Sequence, residues 1–268
     1  MRQLVFTACC FLMFGSASFT QQQQPRPTVR DYCVKVAHGK NAEFEAFIKD
    51  VNVPLNQSRA DAGEFDWYVV ARGVVPAGSS AKCDYRIVYG YKGLPPETAS
   101  AEQMDASLKK AKINMTAKEW AAKRDALTQL VDVEIWYGID GVGSSFGKGS
   151  YLRLNHYNIK PGAMQDWQRL ETTYWKPVVQ EYIKGGGKGS WSVNGLLMPE
   201  GDNLPYNAVT VDAFPDWNSL LQGISFSLWT KVHPNTEATD VFDRLDRVRS
   251  RANIEVYKVV EMVNRASN

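Results

Sequence analysis

Residues 38–44 read His-Gly-Lys-Asn-Ala-Glu-Phe, and residues 161–167 read Pro-Gly-Ala-Met-Gln-Asp-Trp. Each run is a turn glycine, a few polar residues and then an aromatic, placed where a helix would first reach a core. The second run lies 123 residues after the first. At that same spacing Pro54 falls on Pro177. One residue more brings Trp67 and Val69 onto Trp191 and Val193; two residues fewer bring Tyr85, Val88, Asp125 and Glu134 onto Tyr206, Val209, Asp246 and Glu255. So slow a drift over so long a stretch is the signature of one supersecondary unit used twice. Glycines crowd residues 138–149, which places a linker at 141–150 between a first unit at 30–140 and a second at 151–263.

Both units parse alike. A strand (30–37; 151–159) leads through the glycine turn into an amphipathic helix, with Phe44, Phe47, Ile48 and Val51 in one unit and Trp167, Leu170 and Tyr174 in the other at helical spacing. A hairpin-like pair of strands follows, 67–75 with 83–91 and 191–197 with 206–214. Thr116-Ala117-Lys118-Glu119 is a capping box that opens a second helix in the first unit. Asn235 is the expected cap of its counterpart, where Val241, Phe242, Leu245 and Val248 form the apolar stripe. Last strands run over 131–137 and 253–261, and residues 99–112 form an extra surface helix in the first unit only. The order strand, helix, strand, strand, helix, strand is the split βαβ arrangement. The expected fold is therefore α+β: two ferredoxin-like βαββαβ repeats whose antiparallel sheets pack face to face as an intramolecular α/β barrel.

The run Arg153-Leu154-Asn155-His156-Tyr157-Asn158-Ile159-Lys160-Pro161-Gly162, followed by Trp167, resembles the opening strand and turn of dimeric α/β-barrel proteins, most of all the NIPSNAP-type group. Residues 30–39 are a weaker version, with His38 in place of the proline. The resemblance implies an intramolecular version of a barrel that is usually made by two chains. The superfamily includes cofactor-free monooxygenases, haem-dependent enzymes and many proteins of other roles, so a shared fold leaves the chemistry open.

Thirty-one Lys and Arg against 29 Asp and Glu leave a net charge of +2, too balanced for a nucleic-acid-binding surface. Arg2, the apolar run 4–14, the small residues 15–18 and the glutamines at 21–24 read as a cleaved signal over 1–20 with a polar segment at 21–29. That makes the protein exported, periplasmic or secreted, with no stable membrane insertion once the signal is removed. Cys33 and Cys83 remain after cleavage. Placing Cys33 early in the first strand and Cys83 at the start of the third puts them at opposite ends of antiparallel neighbours, so no bond between them is expected.

The three histidines are isolated, and no spacing suited to a metal appears. No cofactor is expected. His156, beside Arg153 and Asn155, is the candidate general base or polar ligand contact; its alternative role is a packed histidine. Glu134 and Glu255 hold matching places in the two last strands, where symmetry would bring them into one cavity and burial would favour their protonated forms. Trp67 and Trp191 match as an aromatic pair for lining that cavity, with Asn194 as a polar neighbour. The glycines at 185–189 precede a strand instead of a helix, which excludes a phosphate loop. The expected function is a binding protein for a small, mostly apolar molecule, monomeric because one chain completes the barrel. A cofactor-independent oxygenase using His156, or a haem protein ligated by His156, are the alternatives.

Overall fold

The computed structural model describes residues 26–144, 146–201 and 203–266. The expected signal and most of the polar segment after it lie outside the described residues. In the first half, β1 (Thr28–Val36) leads into α1 (Asn41–Phe47), which passes through a π turn at Ile48–Asn52 into α2 (Val53–Asp61). Then come β2 (Trp67–Val75), β3 (Tyr85–Tyr91), α3 (Ala101–Lys110), α4 (Ala117–Leu127) and β4 (Thr128–Gly143). The second half repeats the plan: β5 (Tyr151–Ile159), α5 (Met164–Leu170), a π turn at Glu171–Trp175, α6 (Lys176–Lys184), β6 (Ser190–Met198) and β7 (Ala208–Phe214). It adds α7 (Trp217–Gln222) and α8 (Phe226–Val232) before α9 (Ala238–Val248) and β8 (Arg249–Asn264).

The matched prolines explain the matched π turns. Pro54 and Pro177 sit just after them, at the start of α2 and α6. A proline in a continuous helix has no N–H to donate and crowds the carbonyl four residues back, and a locally widened turn removes both problems. The capping box of α4 forms: the Glu119 N–H donates to Thr116 Oγ1 at 3.2 Å and the Thr116 N–H to Glu119 Oε2 at 2.8 Å. The extra helix is α3, with its own capping box from Ser100 and Gln103. Asn235 does not cap α9. That helix starts two residues later, with Glu237 at its N-cap and no side-chain cap bond.

The eight strands close into one ring in the order β1-β3-β2-β8-β5-β7-β6-β4. Within it each half keeps the ferredoxin-like order, β4-β1-β3-β2 and β8-β5-β7-β6. The two sheets join edge to edge, which closes the expected barrel within one chain. The joint depends on β4 and β8, each 16 residues long. Residues 128–137 of β4 pair with β1, and residues 135–143 pair with β6. Residues 249–258 of β8 pair with β5, and 256–264 with β2. The glycines at 138, 141 and 143 are thus strand, and the break between halves narrows to the residues after Gly143. At Gly143, with φ +74°, an added Cβ would stand 2.4 Å from the Gly189 carbonyl oxygen. Only glycine lets β4 and β6 meet there.

Alternation along the strands builds three apolar layers. One lies under the helices of the first half, around Phe44, Phe47, Tyr68 and Tyr85. Another lies under those of the second half, around Trp167, Val178, Trp191 and Leu245. A third fills part of the ring itself, with Val69, Ala71, Trp136, Leu154 and Val209.

The structure overturns the expectation for the cysteines: Cys33 and Cys83 are disulfide-bonded, with Cα atoms 5.2 Å apart. β1 begins two residues earlier than expected, so Cys33 lies in its later part, and Cys83 comes before β3 begins. In an antiparallel pair the late part of one strand faces the approach to the other; Val34 pairs with Tyr85, and the Asp84 N–H donates to the Val34 carbonyl. The bond closes a loop with a sequence separation of 50, which in the chain-entropy account contributes about 4 kcal/mol. The C33S/C83S variant should melt on the order of 10 °C below the wild type in a calorimetric scan; equal melting temperatures would mean that the bond adds no stability.

Candidate functional site

Arg86 interrupts the apolar run of β3 and points into the ring. Its neighbours in register are Cys33 on β1 and Ala71 on β2. Nη1 donates to Asp31 Oδ2 at 2.6 Å and Nη2 to Glu255 Oε2 at 2.8 Å. Nη1 also lies 3.6 Å from Glu134 Oε2. The Tyr257 hydroxyl donates to Glu255 Oε2 at 3.2 Å, and the Tyr206 hydroxyl donates to Glu134 Oε1. Lys82 Nζ, at the rim, donates to Asp132 Oδ2 at 2.7 Å and lies 3.5 Å from Glu134 Oε1. Arg86, Asp31, Glu134 and Glu255 are all buried, the most exposed of them at 6%. Glu134 and Glu255 both approach this arginine, but neither is among the residues that line the cavity inside the ring.

Charges so deeply buried persist only when paired. Burial opposes the positive charge of Arg86, but the attraction of Asp31, Tyr257, Glu255 and Glu134 outweighs it and pushes the guanidinium well above its ordinary range. Asp31 is pushed up to about 6, by burial first, against the pull of Arg86 and with help from Glu134 and Glu255. Neither Arg86 nor Asp31 stood out in the sequence as a site residue. The usable signal was a charged residue on the inward parity of each strand.

This cluster forms the inner end of a cavity of about 730 Å³ inside the ring. Its walls are mostly apolar, including Val29, Trp67, Val88, Trp136, Leu152 and Met262; Asp31, Arg86, His156, Asn194 and Tyr257 are among the polar residues that line it. Trp67 points inward, and its indole lies across Gly90, where an added Cβ would collide with the ring at 2.0 Å. Trp191 borders the cavity, but its side chain belongs to the layer under the helices. One residue of drift in the match puts Trp191 on the opposite parity, and it packs instead with Trp167 and Val178 under the helices. Asn194 lies on the cavity wall and donates to Ser192 Oγ at 3.0 Å. Arg153 and Asn155 share the other face of β5, away from the cavity. There Arg153 Nε donates to Asn155 Oδ1, and Asn155 Nδ2 donates to Asp212 Oδ2 at 2.8 Å. Lys188 completes that buried group by donating to Asp212 Oδ1 at 2.6 Å.

His156 points inward but is only 1% exposed. Its ring centroid is 4.3 Å from that of Tyr206 and 6.2 Å from that of Trp136. Nδ1 is buried with no hydrogen-bond partner. Burial, and then the charge of Arg86, hold the imidazole down at about 3. His156 and Tyr206 occupy the places that Cys33 and Cys83 hold in the first half: His156 pairs with Val209 as Cys33 pairs with Arg86. One half is closed there by a covalent bond and the other by two rings in tilted contact. The imidazole borders the cavity but is packed against Tyr206 and Trp136, which leaves little of it exposed to a ligand. Among the described residues no group of three or more His, Cys, Asp or Glu is placed to hold a metal ion, and no helix is long and apolar enough to cross a membrane.

Two outcomes follow from the burial. In a nitrogen-detected NMR titration the His156 imidazole should stay neutral down to about pH 4; a midpoint between 6 and 7 would place it in water. R86M should lower stability in urea by about 3–5 kcal/mol by leaving three carboxylates without their cation; a loss below about 1 kcal/mol would mean the cluster is solvated.

No protein-family model matches the chain, and no curated protein matches it. Solved structures do. The chain is similar to a proposed monooxygenase of Fusobacterium nucleatum subsp. nucleatum, at a TM-score of 0.57 and 11% identity over 91% of this chain and 97% of that one. A proposed monooxygenase of Lactobacillus acidophilus matches at a TM-score of 0.54 and 8% identity over 91% and 98%. At such identities the likeness concerns architecture: this is the ferredoxin-like dimeric α/β-barrel fold, here closed within one chain.

Proposed function

We propose that the ring holds a small, mostly apolar molecule, oriented by the polar cluster at its inner end. The observation that carries this reading is the cavity of about 730 Å³, within the size range of small-molecule sites, with apolar walls and a few convergent polar groups. Trp67 and Trp136 provide aromatic walls that suit a planar ligand. Neutral two-ring aromatics should raise the melting temperature and quench tryptophan fluorescence, and A71W, which fills the cavity from β2, should abolish both effects. Equal responses in the wild type and A71W would place binding elsewhere.

A second reading is oxygenation of such a molecule without a cofactor, favoured by the likeness to two proposed monooxygenases. Within that reading His156 is a poor base, being held near 3 and covered by Tyr206. Turnover of an electron-rich phenol that survives H156A would assign the chemistry to the cavity without the histidine. Turnover lost in H156A while the melting temperature holds would restore it. A haem role for His156 is tested by a Soret band on haem addition that H156A removes.

Export, with removal of residues 1–20, is part of the same reading. The Cys33–Cys83 bond supports it, because such bonds persist in oxidising compartments. Ring closure within one chain supports a monomer. The equivalent π turns and strand orders of the two halves support an origin by duplication, and the Arg153–Gly162 run supports kinship with the NIPSNAP-type group.

A further inference from the structure

Asp31 on β1 and Glu134 on β4 stand directly opposite each other in the antiparallel register. Like charges so placed repel. Each carboxyl has one oxygen engaged: Asp31 Oδ2 accepts from Arg86 Nη1, and Glu134 Oε1 accepts from the Tyr206 hydroxyl. The other oxygen of each, Asp31 Oδ1 and Glu134 Oε2, is buried with no partner. The same Arg86 nitrogen lies 2.6 Å from one carboxyl and 3.6 Å from the other. Two buried acceptors on opposed side chains lack a donor. A proton on one carboxyl, accepted by the other, satisfies both.

The charges point the same way. Asp31, Glu134 and Glu255 carry three negative charges around the one buried cation, Arg86, because Lys82 at the rim is paired with Asp132 at 2.7 Å and reaches Glu134 only at 3.5 Å. One proton lowers that excess of buried negative charge, which is expensive to keep. We propose that Asp31 and Glu134 form a carboxyl–carboxylate pair that binds a single proton and makes the charge at the inner end of the cavity depend on pH.

The groups facing the pair from the surrounding strands do not compete for this role. Burial and Glu134 push the Tyr206 hydroxyl up to about 12, and burial also pushes Tyr257 up. His156 stays neutral above about 3. Arg86 is held charged, and it and Tyr257 both donate to Glu255. Asp31 is raised from 3.8 to about 6, so the folded protein holds this proton more tightly than the unfolded chain does. The resulting stability is complete below the unfolded value and is lost as pH rises through about 6. This deepens the cavity reading and rests on it for its consequence: a ligand meets a less negative floor in acid and a more negative one above.

The test uses no ligand. Urea unfolding of the full chain, D31N and E134Q would be followed from about pH 4 to 8. Relative to D31N, whose amide donates to Glu134 in place of the proton, the wild-type folding constant should fall about a hundredfold as pH rises across that window. Referring each value to D31N cancels the opposite contribution of His156. The wild type should also show the infrared carbonyl band of a protonated carboxyl at about pH 5, absent at pH 8 and absent in E134Q. Parallel pH profiles for wild type and D31N, or no such band, would overturn the proposal. Should D31N fail to fold, E134Q and the wild-type band decide it. An empty cavity in the binding assay would leave this titration unchanged, so the two readings fail separately.

Discussion

Every strand edge in this protein is paired, and the structure depends on that constraint. An isolated ferredoxin-like sheet leaves two edges of unpaired backbone and one apolar face open to water. Here β4 and β8 extend past the strands of their own halves, and each pairs with a strand of the other half at its far end. The open edges vanish, and the inner faces become the wall of an enclosed space. Gly143 marks how tightly the halves are joined, since no larger residue fits beside the Gly189 carbonyl.

Closure also explains why charges lie inside. Arg86 belongs to the first half, yet it binds Glu255 from the second as well as Asp31 from its own. Lys82 similarly contacts Tyr206 across the join. Once the ring excludes water, each of these groups must find its partner within it. The polar cluster therefore ties the halves together at one end, while apolar side chains leave the rest of the interior open for a ligand. The two halves differ around this shared frame. A disulfide holds one where a packed His156–Tyr206 ring pair holds the other, and the polar group of Asn155, Asp212 and Lys188 in the second half faces the helices, away from the cavity.

Much of the architecture was legible in the chain. Hydrophobic period, glycine turns, matched prolines and the Thr116 capping box are local signals, and helices and strands are local objects. The order of elements then leaves few topologies. The features that were missed all turn on a shift of one or two residues. Cys33 and Cys83 meet because β1 starts at Thr28; a later start separates them. Trp191 faces the helices and Trp67 the cavity because the match between halves drifts by a residue, and a single step reverses a strand's faces. Asn235 gives up its capping role because α9 begins after Glu237.

The sequence by itself determined the order of αβ elements in each half and the matching places of Glu134 and Glu255, because these follow from periodicity and spacing along one dimension. Only the tertiary structure decided that the sheets join at their edges, that Arg86 and Asp31 form the heart of the cavity floor, and that His156 lies covered behind Tyr206. Those outcomes depend on register between strands far apart in the chain, and on which polar atoms are left without water once the ring closes.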